Sequence, residues 1–290
     1  MSAIPDGVIV LFSFRVDGHV VHVVRRTLPS RSTFTGEKLL HPIATKRVTV
    51  GKQQKMFYAD FFASPEIAAL IAAADHFDIK ADGSCGALIW SELEGRYIPY
   101  GRYDIKRDSD GNFCPPMVTD AKTKTKSPMN MDRWIPCEPR PTNIDATHWP
   151  HFRPLSEDPA QYKWYIKAVE QSQASIDKLD LAVDGPIVTI EYMGAKFNGK
   201  PSDPVDGERI VRHGSLGLVI PVALRTPIGF RHILEQLPVI EGIIVYPSDH
   251  SSPMKIRADL FEDLHWGKTP ANMTVTYGHS GRGLSSEVLM

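Results

Sequence analysis

The sequence contains few cysteines. Its 290 residues include three, Cys85, Cys114 and Cys137, which lie far apart and form no C-x-x-C pair. This spacing indicates neither a disulfide framework nor a cysteine-based zinc site. We therefore expect a reducing compartment, and the predicted location is the cytoplasm.

The sequence also lacks a long apolar run and an excess of charge of either sign. Its first residues, MSAIPDGVIVLFSF, have no basic region ahead of an apolar segment. No stretch reaches the roughly 18 apolar residues that cross a bilayer. The 33 basic and 34 acidic residues leave a formal net charge of −1, so a nucleic-acid partner would have to bind a local basic patch. These absences predict a soluble intracellular protein without a membrane partner.

No internal repeat and no linker rich in Pro, Gly or Ser divides the chain. The hydrophobic content of 42% is sufficient for a sizeable core. Short β-branched runs are more frequent than helical patterns. The sequence therefore predicts one α+β domain over residues 1–290, with mostly antiparallel sheets and flanking helices. A boundary near residue 150 is the alternative.

Turn and cap residues predict the individual elements. An Asp-Gly pair between two β-branched runs predicts an antiparallel hairpin over 8–28, and a Ser-Pro pair predicts the start of a helix over 64–77. The polar stretch 106–160 predicts a long irregular insertion, and 156–183 predicts the longest helix. Strands are predicted within 79–105, 186–194, 215–224, 241–247 and 254–261, and a further helix over 226–237.

The stretch DIKADGSCGALIW places Lys80, Asp82 and Gly83 in a K-x-D-G pattern. A lysine becomes a useful nucleophile when burial or neighbouring cations lower its pKa. On a strand, Asp82 would project to the same side as Lys80, and Gly83 would let a ligand approach the backbone closely. The pattern suits a phosphorylated ligand held against an amine. The alternative is a solvated lysine at a strand edge.

A second stretch, EGIIVYPSDHSSPMKIRADLF, carries charge of both signs. On a strand, Lys255 and Arg257 would project to one face while Ile256 anchors the other face in a core. Glu241 can supply a hard oxygen near these cations, which suits Mg²⁺ that bridges phosphates. The alternative is an ordinary hairpin with a charged outer face.

Taken together, these patterns resemble a known superfamily. K-x-D-G, E-G-I-I-V and K-I-R, in this order, resemble motifs I, IV and V of the covalent nucleotidyltransferases, which include RNA and DNA ligases and mRNA capping enzymes. TIEYMGAKFNGKP (189–201) is similar to the E-L-x-G-x-x-x-N-G-N-P segment of RNA ligases, and RHGSLGLVIPVAL (212–224) to the H-x-L-x-L-I-P segment that follows it. The resemblance is strongest to the animal-type 5′-to-3′ RNA ligases and covers roughly 75–266. It implies a nucleotidyltransferase domain without an OB-fold domain.

The resemblance implies ATP-dependent joining of RNA ends. Lys80 would attack the α-phosphorus of ATP and form a lysyl-AMP. The AMP would then pass to an RNA 5′-phosphate, and an RNA 3′-hydroxyl would displace it. The residues implied around the nucleotide are Lys80, Asp82 and Gly83 of motif I, Ile79 with its backbone at the adenine, Arg102 (or Arg96) at the ribose or phosphate, Glu191 at the ribose hydroxyls, Glu241 beside Mg²⁺ or Mn²⁺, and Lys255 and Arg257 at the α-phosphate.

The sequence-based hypothesis also includes an expectation for the pKa of Lys80 and a set of alternative functions. The cations around the α-phosphate should lower the pKa of Lys80 by like-charge repulsion. The alternative functions are a DNA ligase, a GTP-using capping-type enzyme, or a nucleic-acid-binding module that has the same fold and no turnover.

Overall fold

The computed structural model describes residues 7–26, 36–50, 53–120, 122–143, 146–155, 162–194, 196–197, 208–238, 240–249, 251–261 and 264. Within these residues the strands are β1 (Val8–Val16), β2 (His19–Arg26), β3 (Ile43–Val50), β4 (Gln53–Phe62), β5 (His76–Lys80), β6 (Ser84–Ser91), β7 (Arg96–Lys106), β8 (Met117–Thr119), β9 (Lys126–Pro128), β10 (Ile135–Pro136), β11 (His148–Pro154), β12 (Ile187–Met193), β13 (Arg209–Arg212), β14 (Leu216–Val219), β15 (Gly242–Tyr246) and β16 (Met254–Arg257). The α-helices are α1 (Pro65–Ala72), α2 (Tyr162–Gln171), α3 (Gln173–Ile176), α4 (Leu181–Asp184) and α5 (Pro227–Glu235).

Two six-stranded antiparallel sheets form the body of the protein. The first, sheet I, has the strand order β1-β2-β14-β5-β15-β16, and the second, sheet II, has the order β10-β11-β7-β6-β12-β13. The pairs β3-β4 and β8-β9 form separate two-stranded sheets. This arrangement confirms the α+β class with mostly antiparallel sheets. Among the described residues, no helix has the length and apolar character that a bilayer crossing requires.

The local signals at the first hairpin and the first helix predicted their structures correctly. Val16 pairs with His19, which leaves Asp17 and Gly18 as a two-residue loop with φ values of 48° and 79°. An Asp-Gly pair tolerates these positive φ values. Ser64 caps α1 by accepting a hydrogen bond from the backbone N–H of Ile67 at 3.3 Å. The helix ends at Ala72, earlier than the sequence predicts.

The prediction of an irregular insertion over 106–160 is wrong in part. Strand β11 pairs with β7 along its whole length inside sheet II. Phe113 and Trp134 are buried with Ile105 in a small apolar cluster. The aromatic residues of this mostly polar segment therefore form a small core of their own. Strands β8 and β9 are exposed along their whole length.

The stretch 156–183 contains α2, which at 10 residues is the longest helix among the described residues, but the predicted length is wrong because the chain forms three short helices there. The side chain of Ser172 is buried between α2 and α3 and accepts a hydrogen bond from Ile210 N at 2.9 Å. Asp180 caps α4 through Ala182 N. Aspartate favours a helix start in this way, and the Ser172 hydrogen bond attaches the junction of α2 and α3 to β13. The predicted helix start at 156–161 lies outside the described residues, as does the N-G-K-P part of the ligase-like stretch (198–201).

Three apolar clusters hold the two sheets in place. The largest lies between sheet I, α1, α5 and β4 and includes Phe77, Phe230 and Ile243. A second cluster lies where α2 packs on sheet II. A third, formed by Met193, Val211 and Leu216 with Ile79 beside it, joins β12 and β13 at the edge of sheet II to β14 and β5 in the middle of sheet I. The polar cavity described next lies beside this junction.

Candidate functional site

A cavity of about 360 Å³ lies between the central strands of the two sheets. All nine residues that the sequence singled out line it: Ile79, Lys80, Asp82, Gly83, Arg102, Glu191, Glu241, Lys255 and Arg257. Strands β5 and β16 of sheet I carry four of them, and β7 and β12 of sheet II carry Arg102 and Glu191. Asp82 and Gly83 lie between β5 and β6, and Glu241 directly precedes β15. Residues up to 178 positions apart in the chain (79 to 257) thus share one cleft.

Lys80 is the last residue of β5, and its position follows from the pairing of β5 with β15. Gly242 pairs with Lys80, and Glu241 N donates a hydrogen bond to the Lys80 carbonyl at 2.9 Å. The Glu241 carboxylate therefore lies beside the Lys80 ammonium and forms an ion pair with it. Ile79 points the other way and packs on the apolar clusters.

Lys255 and Arg257 reach the cavity because buried and partly exposed side chains alternate along β16. Met254 and Ile256 are buried in the core, whereas Lys255 and Arg257 project toward the cavity, as the alternation predicts. The hydroxyl of Tyr58 accepts a hydrogen bond from Arg257 N at 3.1 Å and so fixes the backbone of this strand from behind.

The ionisation of the lysines departs from the expectation. Burial lowers the pKa of Lys80, but the carboxylates of Glu241 and Glu191 raise it by more, so the net direction is upward. The prediction of a lowered pKa is wrong for the ligand-free protein, because it counted the cations and omitted the acids. Burial, Lys80 and Arg257 lower the pKa of Lys255 to about 8.

Sheet II supplies the opposite wall of the cavity. Glu191 pairs directly with Cys85 across β12 and β6, and its carboxylate lies 3.0 Å from Nε2 of His213. Arg102 forms an ion pair with Asp104 at 3.0 Å. Arg96, the alternative to Arg102, lies at the other end of β7 as an exposed ion pair with Glu94, so the structure favours Arg102.

Two motif I residues lie where the sequence did not predict. Strand β5 ends at Lys80, so Asp82 belongs to the following bend and does not share a strand face with Lys80, although both line the cavity. A Cβ on Gly83 would overlap the carbonyl oxygen of Tyr192 and lie 2.9 Å from Cγ of Glu191. Glycine at this position therefore permits close packing against β12.

Asp78 is a cavity residue that the sequence analysis missed. It is 2% exposed, forms an ion pair with Arg26, and has a buried second oxygen, Oδ2, without a hydrogen-bond partner among the described residues. That oxygen can accept a hydrogen bond from an amino group of a ligand. Because Asp78 precedes Lys80 by two residues on one strand, alternation alone could have identified it.

Glu241 is the residue best placed to hold Mg²⁺ together with the phosphates of a bound ligand. Its Oε2 contacts Lys80, and its Oε1 lies 3.4 Å from Nε of Arg257. Mg²⁺ is commonly held by one or two carboxylates together with substrate phosphates. Glu241 is a single carboxylate between cations. It therefore fits a Mg²⁺ ion whose other ligands come from phosphate, and it does not fit a Mg²⁺ ion held by protein ligands alone.

The site combines the half-buried Lys80 amine, three further cations and five acidic side chains in one cavity. The cations of such a set can contact phosphate oxygens, and a lysine amine can attack phosphorus when it is neutral. Comparisons of the chain with protein-family models, with curated proteins and with solved structures found no match.

Proposed function

We propose that the protein is an ATP-dependent RNA ligase with a nucleotidyltransferase fold and that Lys80 is its nucleophile. The observation that carries the proposal is the convergence of Lys80, Glu241, Lys255 and Arg257 on one cavity. These residues resemble motifs I, IV and V and were selected from the sequence alone. An ordinary charged hairpin would not have to present them to a shared cleft.

In the first step, the neutral Nζ of Lys80 attacks the α-phosphorus of ATP. An N–P bond forms, the P–O bond to the β-phosphate breaks, and pyrophosphate leaves with its electron pair. The attacking nitrogen loses one of its two protons to solvent, which leaves a neutral phosphoramidate N–H. Lys255 and Arg257 stabilise the negative charge that accumulates on the α-phosphate oxygens. Mg²⁺, when bound beside Glu241, would shield the charge of the phosphates.

In the later steps, the AMP group passes to RNA. A 5′-phosphate oxygen of the RNA attacks the lysyl-AMP phosphorus, and the Lys80 amine leaves and is protonated. A 3′-hydroxyl then attacks the activated 5′-phosphorus, which forms the phosphodiester and releases AMP. The same cations would neutralise the phosphate in each step.

The first test is covalent nucleotide transfer to the protein. Incubation with ATP and Mg²⁺ is expected to add about 329 Da, the mass of a bound AMP group, in intact mass spectrometry. Chasing the adduct with 5′-phosphorylated RNA should release AMP and join the RNA to a 3′-hydroxyl end. An adduct with GTP alone would indicate a capping-type enzyme, chase by DNA alone a DNA ligase, and no adduct with either nucleotide a binding module.

A second prediction concerns the ion pair between Lys80 and Glu241. Glu241→Gln removes the anion that does most to raise the pKa of Lys80, so the amine should be neutral more often near pH 8. Its reactivity toward an amine-acylating reagent, followed by peptide mass spectrometry without nucleotide or metal, should increase several-fold. The matched control is Glu94→Gln, which removes the exposed ion pair with Arg96. Equal acylation of Lys80 in the wild type and Glu241→Gln would contradict the prediction.

A further inference from the structure

A second group of potential ligands lies on the sheet II wall of the cavity. Cys85 on β6, Glu191 on β12 and His213 after β13 each place one donor atom within 4.8 Å of the other two. The pairing of β12 with β6 sets Cys85 beside Glu191. All three residues line the cavity, so a small ion could reach them.

The donor atoms are a sulfur, a nitrogen and a carboxylate oxygen. Zn²⁺ takes these three donor types, and catalytic or exchangeable zinc sites commonly use three protein ligands and leave a fourth position open. Mg²⁺ prefers oxygen ligands and is not selected by a thiol. We propose that Cys85, Glu191 and His213 bind a borderline-soft divalent cation such as Zn²⁺, in a site distinct from the Mg²⁺ position at Glu241.

The geometry requires a small contraction. Ligand distances of about 2.0–2.3 Å in a tetrahedral site put donor atoms roughly 3.3–3.8 Å apart. The observed limit of 4.8 Å therefore requires the donor atoms to approach by up to about 1 Å when the metal binds. Glu191 Oε2 and His213 Nε2 are already 3.0 Å apart.

Some charges around the three ligands oppose the binding of a cation, and others favour it. Lys80 and Arg102 line the same cavity and oppose a cation. A thiolate and a carboxylate together carry two negative charges, which match those of a divalent ion. The thiol must lose its proton when the metal binds, as at other cysteine sites.

Zinc at this position would affect the nucleotide, an inference that rests on the proposed function. Glu191 would bind the ribose hydroxyls of ATP, and the same carboxylate would coordinate the zinc ion. The two ligands should therefore compete, and Zn²⁺ should inhibit formation of the lysyl-AMP. Binding of the metal itself needs no nucleotide and can be tested alone.

The test is a titration of the full chain with Zn²⁺, and with Co²⁺ as a spectroscopic probe, in the absence of nucleotide. The cobalt complex of the wild type should show a thiolate-to-metal charge-transfer band. Cys85→Ser should remove this band, and Cys85→Ser and His213→Asn should each weaken Zn²⁺ binding by at least about tenfold. Cys114→Ser, which alters an exposed thiol, should bind like the wild type.

Two results would overturn the proposal. One is a wild-type cobalt complex without a thiolate band, which does not depend on how well any variant folds. The other is an unchanged Zn²⁺ affinity in folded Cys85→Ser. A non-hydrolysable ATP analogue should weaken Zn²⁺ binding, and Zn²⁺ binding that is indifferent to it would overturn the shared use of Glu191. AMP transfer measured with Mg²⁺ and without zinc tests the proposed function separately.

Discussion

Lys80→Ala and Lys80→Arg are both expected to abolish the AMP adduct, with a loss of at least about 10⁴-fold in the rate of AMP transfer. Alanine removes the attacking amine. Arginine retains the positive charge and the ion pair with Glu241, but its guanidinium stays protonated and cannot attack phosphorus. Intact mass spectrometry after incubation with ATP and Mg²⁺ measures both variants, and peptide mapping of the wild-type adduct should identify residue 80.

The control is Lys106→Ala, which removes an exposed lysine at the end of β7. It should form the adduct at the wild-type rate. Lys80→Ala should still fold, since Glu241 retains Arg257 as a cationic neighbour at 3.4 Å. An adduct of undiminished yield on another lysine of Lys80→Ala would remove Lys80 from the mechanism.

The sequence predicted the site where local alternation determines side-chain direction. Lys255 and Arg257 could be assigned to one face of β16 because apolar Met254 and Ile256 alternate with them. The same rule applied to Asp78 and Lys80 on β5. The K-x-D-G pattern begins at Lys80 and so does not include Asp78, although alternation places both side chains on one face of the strand.

The sequence could not predict contacts that depend on strand order. The ion pair between Arg26 on β2 and Asp78 on β5 forms because only β14 separates these two strands in sheet I. The direction of the Lys80 pKa depends in the same way on how closely Glu241 and Glu191 approach the amine. Strand β11 could not be predicted either, because it lies in a polar, proline-rich stretch. It pairs with β7 along its whole length.

Lys255→Ala is expected to lower the rate of AMP transfer by about 10²–10³-fold at neutral pH, because it removes one of the cations that stabilise the charged transition state. Lys255→Arg should recover part of the loss by restoring the charge with a different donor geometry. Single-turnover adduct formation at saturating ATP measures the effect, again with Lys106→Ala as the control.

The effect of Lys255→Ala should also depend on pH. A lysine stabilises an anion only while it is protonated, and the pKa of Lys255 is lowered to about 8 by burial and by the charges of Lys80 and Arg257. The ratio of wild-type to Lys255→Ala rates should therefore be larger at pH 7 than at pH 9. Because Lys255 and Lys80 repel each other, Lys255→Ala also raises the pKa of Lys80, and this effect enlarges the ratio in the same direction, at pH values where Lys255 is protonated in the wild type. A ratio near one at every pH would show that Lys255 does not contact the phosphate that Lys80 attacks.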